Sequence, residues 1–172
     1  MCTELRRLLE GIPTLEPSEQ KAKLEEVRES NGHSISVSDS DHLFHEWGTY
    51  NCFEFALGLT KFQDYVIVKK KNVFANSEFI CYLLENDLIE ESDHEGVLIY
   101  FIGEAPKHAG QFQNNRVQSK WGSGLVFNHE AFEAPLSYGS TFKIYKDVDN
   151  SEMLEYFYDY AETKGIRFSN GT

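Results

Sequence analysis

The sequence predicts an α+β domain with helices packed on a central antiparallel sheet, and three observations lead there. Gly96-Val97-Leu98-Ile99-Tyr100-Phe101-Ile102-Gly103 is a nearly unbroken apolar run, as expected of a central strand covered on both faces. His108–Phe112 and Arg116–Trp121 flank Asn114-Asn115, a favoured two-residue hairpin turn. Helical patterns are confined to the stretches before this region and to one after it, an order that separates helices from a strand meander.

Taken in order, Thr3–Glu10 reads as a short helix with Leu5, Leu8 and Leu9 on one face, ended by Gly11-Ile12-Pro13. Pro17–Ser30 is a second, strongly charged helix stopped by Asn31-Gly32. With only Ala22, Leu24 and Val27 apolar, it is expected to lie on the surface as an appendage. Ser34–Ser38 alternates like an edge strand, so 1–38 forms an amino-terminal helical extension and 39–172 the main domain. Asp39–Tyr50 is a polar loop, and Asn51–Gly58 a short helix. Tyr65–Val68, rich in valine and isoleucine, is expected to be a strand. Asn76 or Ser77 caps a helix through Asn86 that buries Phe79, Ile80, Leu83 and Leu84. Leu125–Phe127 and Ser140–Tyr145 add strands, and Ser151–Lys164 is a last helix with Met153, Leu154, Phe157 and Tyr160 inward.

Composition narrows the function. At 172 residues the chain is one globular domain's length, and its formal charge of -12 argues against nucleic acid and against anionic membranes or wall polymers. Lys69-Lys70-Lys71 is its one basic run, the mark of a solvated turn. The first residues lack a signal-peptide core, and no apolar run approaches spanning length. Three cysteines at wide spacing imply neither a disulfide framework nor a Cys-x-x-Cys metal site. A cytoplasmic home fits these features, as does export by a route without a cleaved signal.

Cys52 is where chemistry is expected. Asn51 caps its helix, which makes Cys52 the first helical residue, where free N–H groups and the dipole favour a thiolate. A histidine on a facing strand would complete a nucleophile–base pair. With Asn114-Asn115 as a two-residue turn, Gln113 pairs with Arg116, Gly110 lies opposite Ser119 and His108 opposite Trp121. That register puts His108, Phe112, Val117, Ser119 and Trp121 on one face. Ser119 then stands diagonal to His108 as a third member, and Gly110 leaves room beside the histidine for substrate. A three-residue turn would bring Gln118 or Lys120 there instead. Lys120 has two further readings, a substrate-carboxylate contact or a solvent-facing side chain.

The order Asn51-Cys52, Gly96–Phe101, His108-Ala109-Gly110 and Val117-Gln118-Ser119-Lys120 resembles the NlpC-type cell-wall cysteine peptidases and CHAP amidases, a branch of the papain-like fold. A closer likeness is to an uncharacterised, mostly bacterial family. Its motifs are matched by Tyr50-Asn51-Cys52, Ala56-Leu57-Gly58, Lys107-His108-Ala109, Ser119-Lys120-Trp121-Gly122, His129 and Tyr138-Gly139. This likeness covers about Tyr50–Lys146. The chain departs from the cell-wall enzymes, which usually carry aspartate before the cysteine and a third histidine or similar residue, in having Asn51 and, by this register, Ser119; His129 is a rival third member.

The resemblance implies a papain-like cysteine peptidase, amidase or deamidase with Cys52 as nucleophile and His108 as base. Ser119 or His129 would complete the triad, with Lys120, Gln118, Asn51 and Trp121 as further third-member or substrate-binding candidates. No cofactor is required, and the substrate would be a peptide or protein amide. The alternative is a catalytically silent member of the fold, an immunity-type module binding a basic partner through its acidic surface. His42, His45 and Glu46 have the spacing of a metal loop but lack a helical frame and further ligands.

Overall fold

A computed structural model describes residues 2–38 and 50–168. Its centre is a seven-stranded antiparallel sheet in the order β1-β6-β5-β4-β3-β7-β2. The strands are β1 (Ser36–Val37), β2 (Glu91–Ser92), β3 (Gly96–Ile102), β4 (Ala105–Gln113), β5 (Arg116–Lys120), β6 (Val126–His129) and β7 (Thr141–Tyr145). β3 is central as its apolar run demands, bonded to β4 on one side and β7 on the other. The chain meanders from β3 to β6, then crosses back to lay β7 beyond β3.

The helices are α1 (Cys2–Leu8), α2 (Pro17–Asn31), α3 (Cys52–Ala56), α4 (Gln63–Lys69), α5 (Ser77–Glu85) and α6 (Asn150–Thr163). Alternation along the strands divides the core in two. One cluster sets Val97, Ile99, Phe101 and Ala109 against Phe53 of α3, Phe79 and Leu83 of α5, and Phe157 of α6. The other sets Leu98, Tyr100, Val117, Trp121 and Phe127 against Leu5, Leu9, Leu24 and Val27.

Two sequence expectations are corrected here. Tyr65–Val68 belongs to helix α4, because Tyr65 and Val68 are the buried pair, three residues apart, while Val66 and Ile67 face outward. A strand would have buried alternate residues. Helix α2 is a cover rather than an appendage: Gln20, Leu24 and Val27 are buried, and Gln20 donates to Ile12 O and accepts from Leu125 N–H. With α1 it closes the second face of the sheet, so the extension shares the core of the main domain.

The hairpin has the expected register, with Gln113 opposite Arg116 and Phe112 opposite Val117. Asn114 and Asn115 both have positive φ (52° and 60°), the pair of left-handed residues that a type I′ turn needs. The ladder pairing runs up to Gln111–Gln118, while Ser119 still packs closely against Gly110.

A cysteine, two histidines and a tyrosine at the sheet's centre

Asn51 caps α3 as expected. Its Oδ1 accepts from Phe53 N–H (2.8 Å) and Glu54 N–H (3.0 Å), and its Nδ2 donates to Ala75 O at 2.8 Å. Glu54 completes a capping box by accepting from Asn51 N–H at 2.6 Å. Sequence reading missed Glu54, although Asn-x-x-Glu ahead of an apolar turn is a recognisable signal. The carboxylate is 1% exposed and also takes Tyr65 O–H (2.7 Å) and the Lys69 ammonium (2.6 Å). Tyr65 in turn accepts from Ala75 N–H, so one buried network ties the start of α3 to α4 and to the segment before α5.

Cys52 is the first residue of α3, half-buried, and its sulfur draws on the N–H groups of Ala109, Phe53 and Cys52 itself. The expectation of a ready thiolate is corrected. Burial is the largest influence and, with the Glu54 charge, pushes the thiol up to about 11, against the pull of the three N–H groups. The resting group is a protonated thiol.

His108 precedes Ala109 and pairs with Tyr100, which puts its ring on the opposite face of β4 from the bulk of α3. It is 2% exposed. Burial first, and the neighbouring His129 second, hold its pKa well below the ordinary imidazole range, so it is neutral. Its Nε2 is buried and has no hydrogen-bond partner among the described residues. No hydrogen bond joins it to Cys52, which packs against the cluster on the Ala109 face of β4, one residue along the strand. The ring of Tyr138 stacks on the imidazole at 3.7 Å and 13°, and the Tyr138 hydroxyl also lacks a partner.

Ser119 does not orient His108. It contacts His129 Nε2 at 2.8 Å and accepts from Trp121 Nε1–H at 3.1 Å. His129 Nδ1 faces Glu130 O at 2.7 Å, and a carbonyl only accepts, so the proton sits on Nδ1 and Nε2 takes the Ser119 hydroxyl proton. Trp121, Ser119, His129 and the Glu130 carbonyl thus form a closed chain. Burial lowers the His129 pKa to about 4, which keeps that tautomer neutral.

The remaining candidates are structural in their contacts. Lys120 is buried, donating to Gly124 O at 2.6 Å with its ammonium 4.0 Å from the Tyr50 ring centre, so the solvent-facing reading is corrected. Gln118 bonds Ser38 (2.7 Å) and Asn128 (3.2 Å), tying β5 to the segment after β1 and to β6. The room expected beside Gly110 is filled: a Cβ there would meet Val117 at 2.6 Å and Ser119 at 2.8 Å. Glycine serves the close approach of β5, not a substrate. His42, His45 and Glu46 lie outside the described residues. Among the described residues no three His, Cys, Asp or Glu are grouped to hold a metal ion, and no helix is long and apolar enough to cross a membrane.

The fold and site define an α+β domain with a cysteine at a capped helix start and a buried histidine on the strand next to the central one. Residues 44–146 match the family described as a domain of unknown function (DUF7689), and the chain belongs to that family. No curated protein and no solved structure matches it.

Proposed function

We propose that this protein is a papain-like, NlpC-type cysteine amide hydrolase or acyl transferase, with Cys52 as nucleophile and His108 as general base. One observation carries the reading: His108, the strand residue before the Ala109 amide that acts on the Cys52 thiol, keeps a buried ring nitrogen without a partner among the described residues. A buried nitrogen left unsatisfied costs about 1–3 kcal/mol, a cost that acid–base work would justify.

In this reading the pair rests as neutral thiol and neutral imidazole. As a carbonyl carbon approaches, the thiol proton passes to His108, the S–C bond forms and the carbonyl electron pair moves onto oxygen. The Cys52 backbone N–H steadies that oxygen. Collapse breaks the bond to the leaving group, which takes the proton from His108. Water or an amine then resolves the thioester with His108 again as base. No metal or redox partner enters this balance. The substrate is a peptide or protein amide and the setting a reducing cytoplasm.

The test is acetyl transfer from acetyl-N-acetylcysteamine, a simple thioester, mapped by mass spectrometry. Acetylation should concentrate on Cys52 at neutral pH and fall about 10²–10⁴-fold in His108→Leu. A Cys52 rate equal to that of Cys81, unchanged in His108→Leu, would sink the reading.

A second reading, a catalytically silent member acting through its acidic surface, draws on the raised thiol and on the commitment of Ser119 to His129. It expects the His108-independent result.

A further inference from the structure

We propose that the Tyr138 hydroxyl is a catalytic hydrogen-bond donor, binding the carbonyl oxygen of the acyl group that adds to Cys52. The inference deepens the proposed function and rests on it.

Tyr138 ends a 3-10 turn at Leu136–Tyr138, and the fold holds that turn from two directions. The buried Arg6 of α1 donates from Nε to Ala134 O at 2.9 Å, and from its terminal nitrogen to Pro135 O at 3.1 Å and to Gly139 O. Gly139 has a φ of 151°, and a Cβ there would meet Phe101 N at 2.7 Å and Tyr100 Cβ at 2.8 Å, so the turn lies directly on β3. These restraints set the phenol ring flat on His108 and edge-on to Trp121, 6.1 Å away.

What they hold is a hydroxyl that no described residue uses. It is buried and unpartnered among the described residues. Gly122 N–H lies toward its oxygen without reaching bonding geometry, and such a contact would occupy a lone pair and leave the O–H proton unaccepted. Tyrosine fixed in place while phenylalanine would fill the same space points to an acceptor that arrives from outside. Once ionised, the Cys52 sulfur adds its charge to burial in holding the proton on the phenol oxygen. A donor that does not ionise, stacked on the base that serves the attacking thiol, matches the oxygen of the tetrahedral adduct. Tyr138 transfers no proton; it donates one hydrogen bond that strengthens as charge collects on that oxygen. His108 is shared by both functions, base on its edge and platform on its face.

The experiment is Tyr138→Phe, with Cys52 acetylation by acetyl-N-acetylcysteamine measured against thioester concentration and thermal unfolding in parallel. The expected result is a 10- to 10³-fold lower maximal rate, an unchanged half-saturating concentration, and a melting temperature equal to or above wild type, because no internal bond is lost. An unchanged maximal rate, or a lowered melting temperature, overturns the inference. Wild-type acetylation that depends on His108 but not on the Tyr138 hydroxyl defeats this inference alone. Acetylation that never depended on His108 defeats the proposed function, and this inference with it.

Discussion

His108 and His129 are both buried, both neutral and both on strands of one sheet, yet they are built differently. Around His129 every polar atom is used: Ser119 on Nε2, the Glu130 carbonyl on Nδ1, and Trp121 closing the serine's remaining contact. Around His108 the contacts are ring faces, with Tyr138 stacked at 3.7 Å and Tyr100 at 5.7 Å, and Nε2 is left open. A histidine that serves the fold is satisfied within it, whereas one that serves a reaction keeps a valence for a partner that comes and goes.

The largest effect that would break this contrast belongs to His108→Leu. It should lower Cys52 acetylation about 10²–10⁴-fold while leaving the urea midpoint equal or higher, since an apolar side chain replaces an unsatisfied one. A clear loss of stability would make His108 a second His129.

Acid comes next. The His129 pKa falls from 6.5 to about 4 on folding, a difference of about 3 kcal/mol. Between those values the unfolded chain binds a proton that the folded chain refuses, so stability is complete above pH 6.5 and drains as pH falls toward 4. The lowered His108 pKa adds in the same direction. Urea unfolding at pH 7 and pH 4.5 checks this, and a flat profile contradicts it.

His129→Leu should cost about 1–3 kcal/mol by stranding the Ser119 hydroxyl, yet leave Cys52 acetylation within a few-fold of wild type. A loss of acetylation as large as that in His108→Leu, in a folded variant, would restore His129 as a member of the reacting group.

Glu54→Gln sharpens the picture of the thiol. It keeps an acceptor for the Asn51 N–H and removes the charge that helps to hold the thiol protonated. The Cys52 titration, followed by pH-dependent alkylation, should therefore move down but stay above that of a free thiol because burial remains. An upward shift would rule out that role for the charge. The smallest effect belongs to Asn115→Gly, at a φ of 60°: a gain of about 0.5–1 kcal/mol in urea unfolding, with acetylation unchanged. A loss of stability would contradict the type I′ turn.

Much of the scaffold was legible because its signals are local. The apolar run of β3, the Asn-Asn turn, the Asn51 and Asn76 caps and the left-handed Gly58 after α3 are each decided within a few residues. The hairpin register was also legible from Gln113–Arg116 to Gln111–Gln118, but the ladder stops short of His108, whose neighbours Tyr138 and Tyr100 come from other elements. Where a tertiary contact outweighs the local signal, sequence reading failed. The valine and isoleucine of α4 suggested a strand, but burying Tyr65 with Val68 selects a helix. The sparse apolar face of α2 suggested a solvated appendage, until Leu24 and Val27 met the second face of the sheet.

The sequence by itself determined an antiparallel sheet with helices around it, a cysteine at a capped helix start and a histidine on the strand that follows the central one. Tertiary structure alone decided the state of those groups. Helix position argues for a thiolate, but desolvation depends on everything packed above the sulfur, and it raises the thiol to about 11. Diagonal spacing argues for Ser119 against His108, but the Glu130 carbonyl fixes the His129 tautomer and draws the serine away. Tyr138 reaches His108 only because Arg6, 132 residues earlier, grips the turn that carries it. Local sequence sets dihedral preferences; which polar atoms are buried, and whether they are satisfied, is settled by segments far apart in the chain.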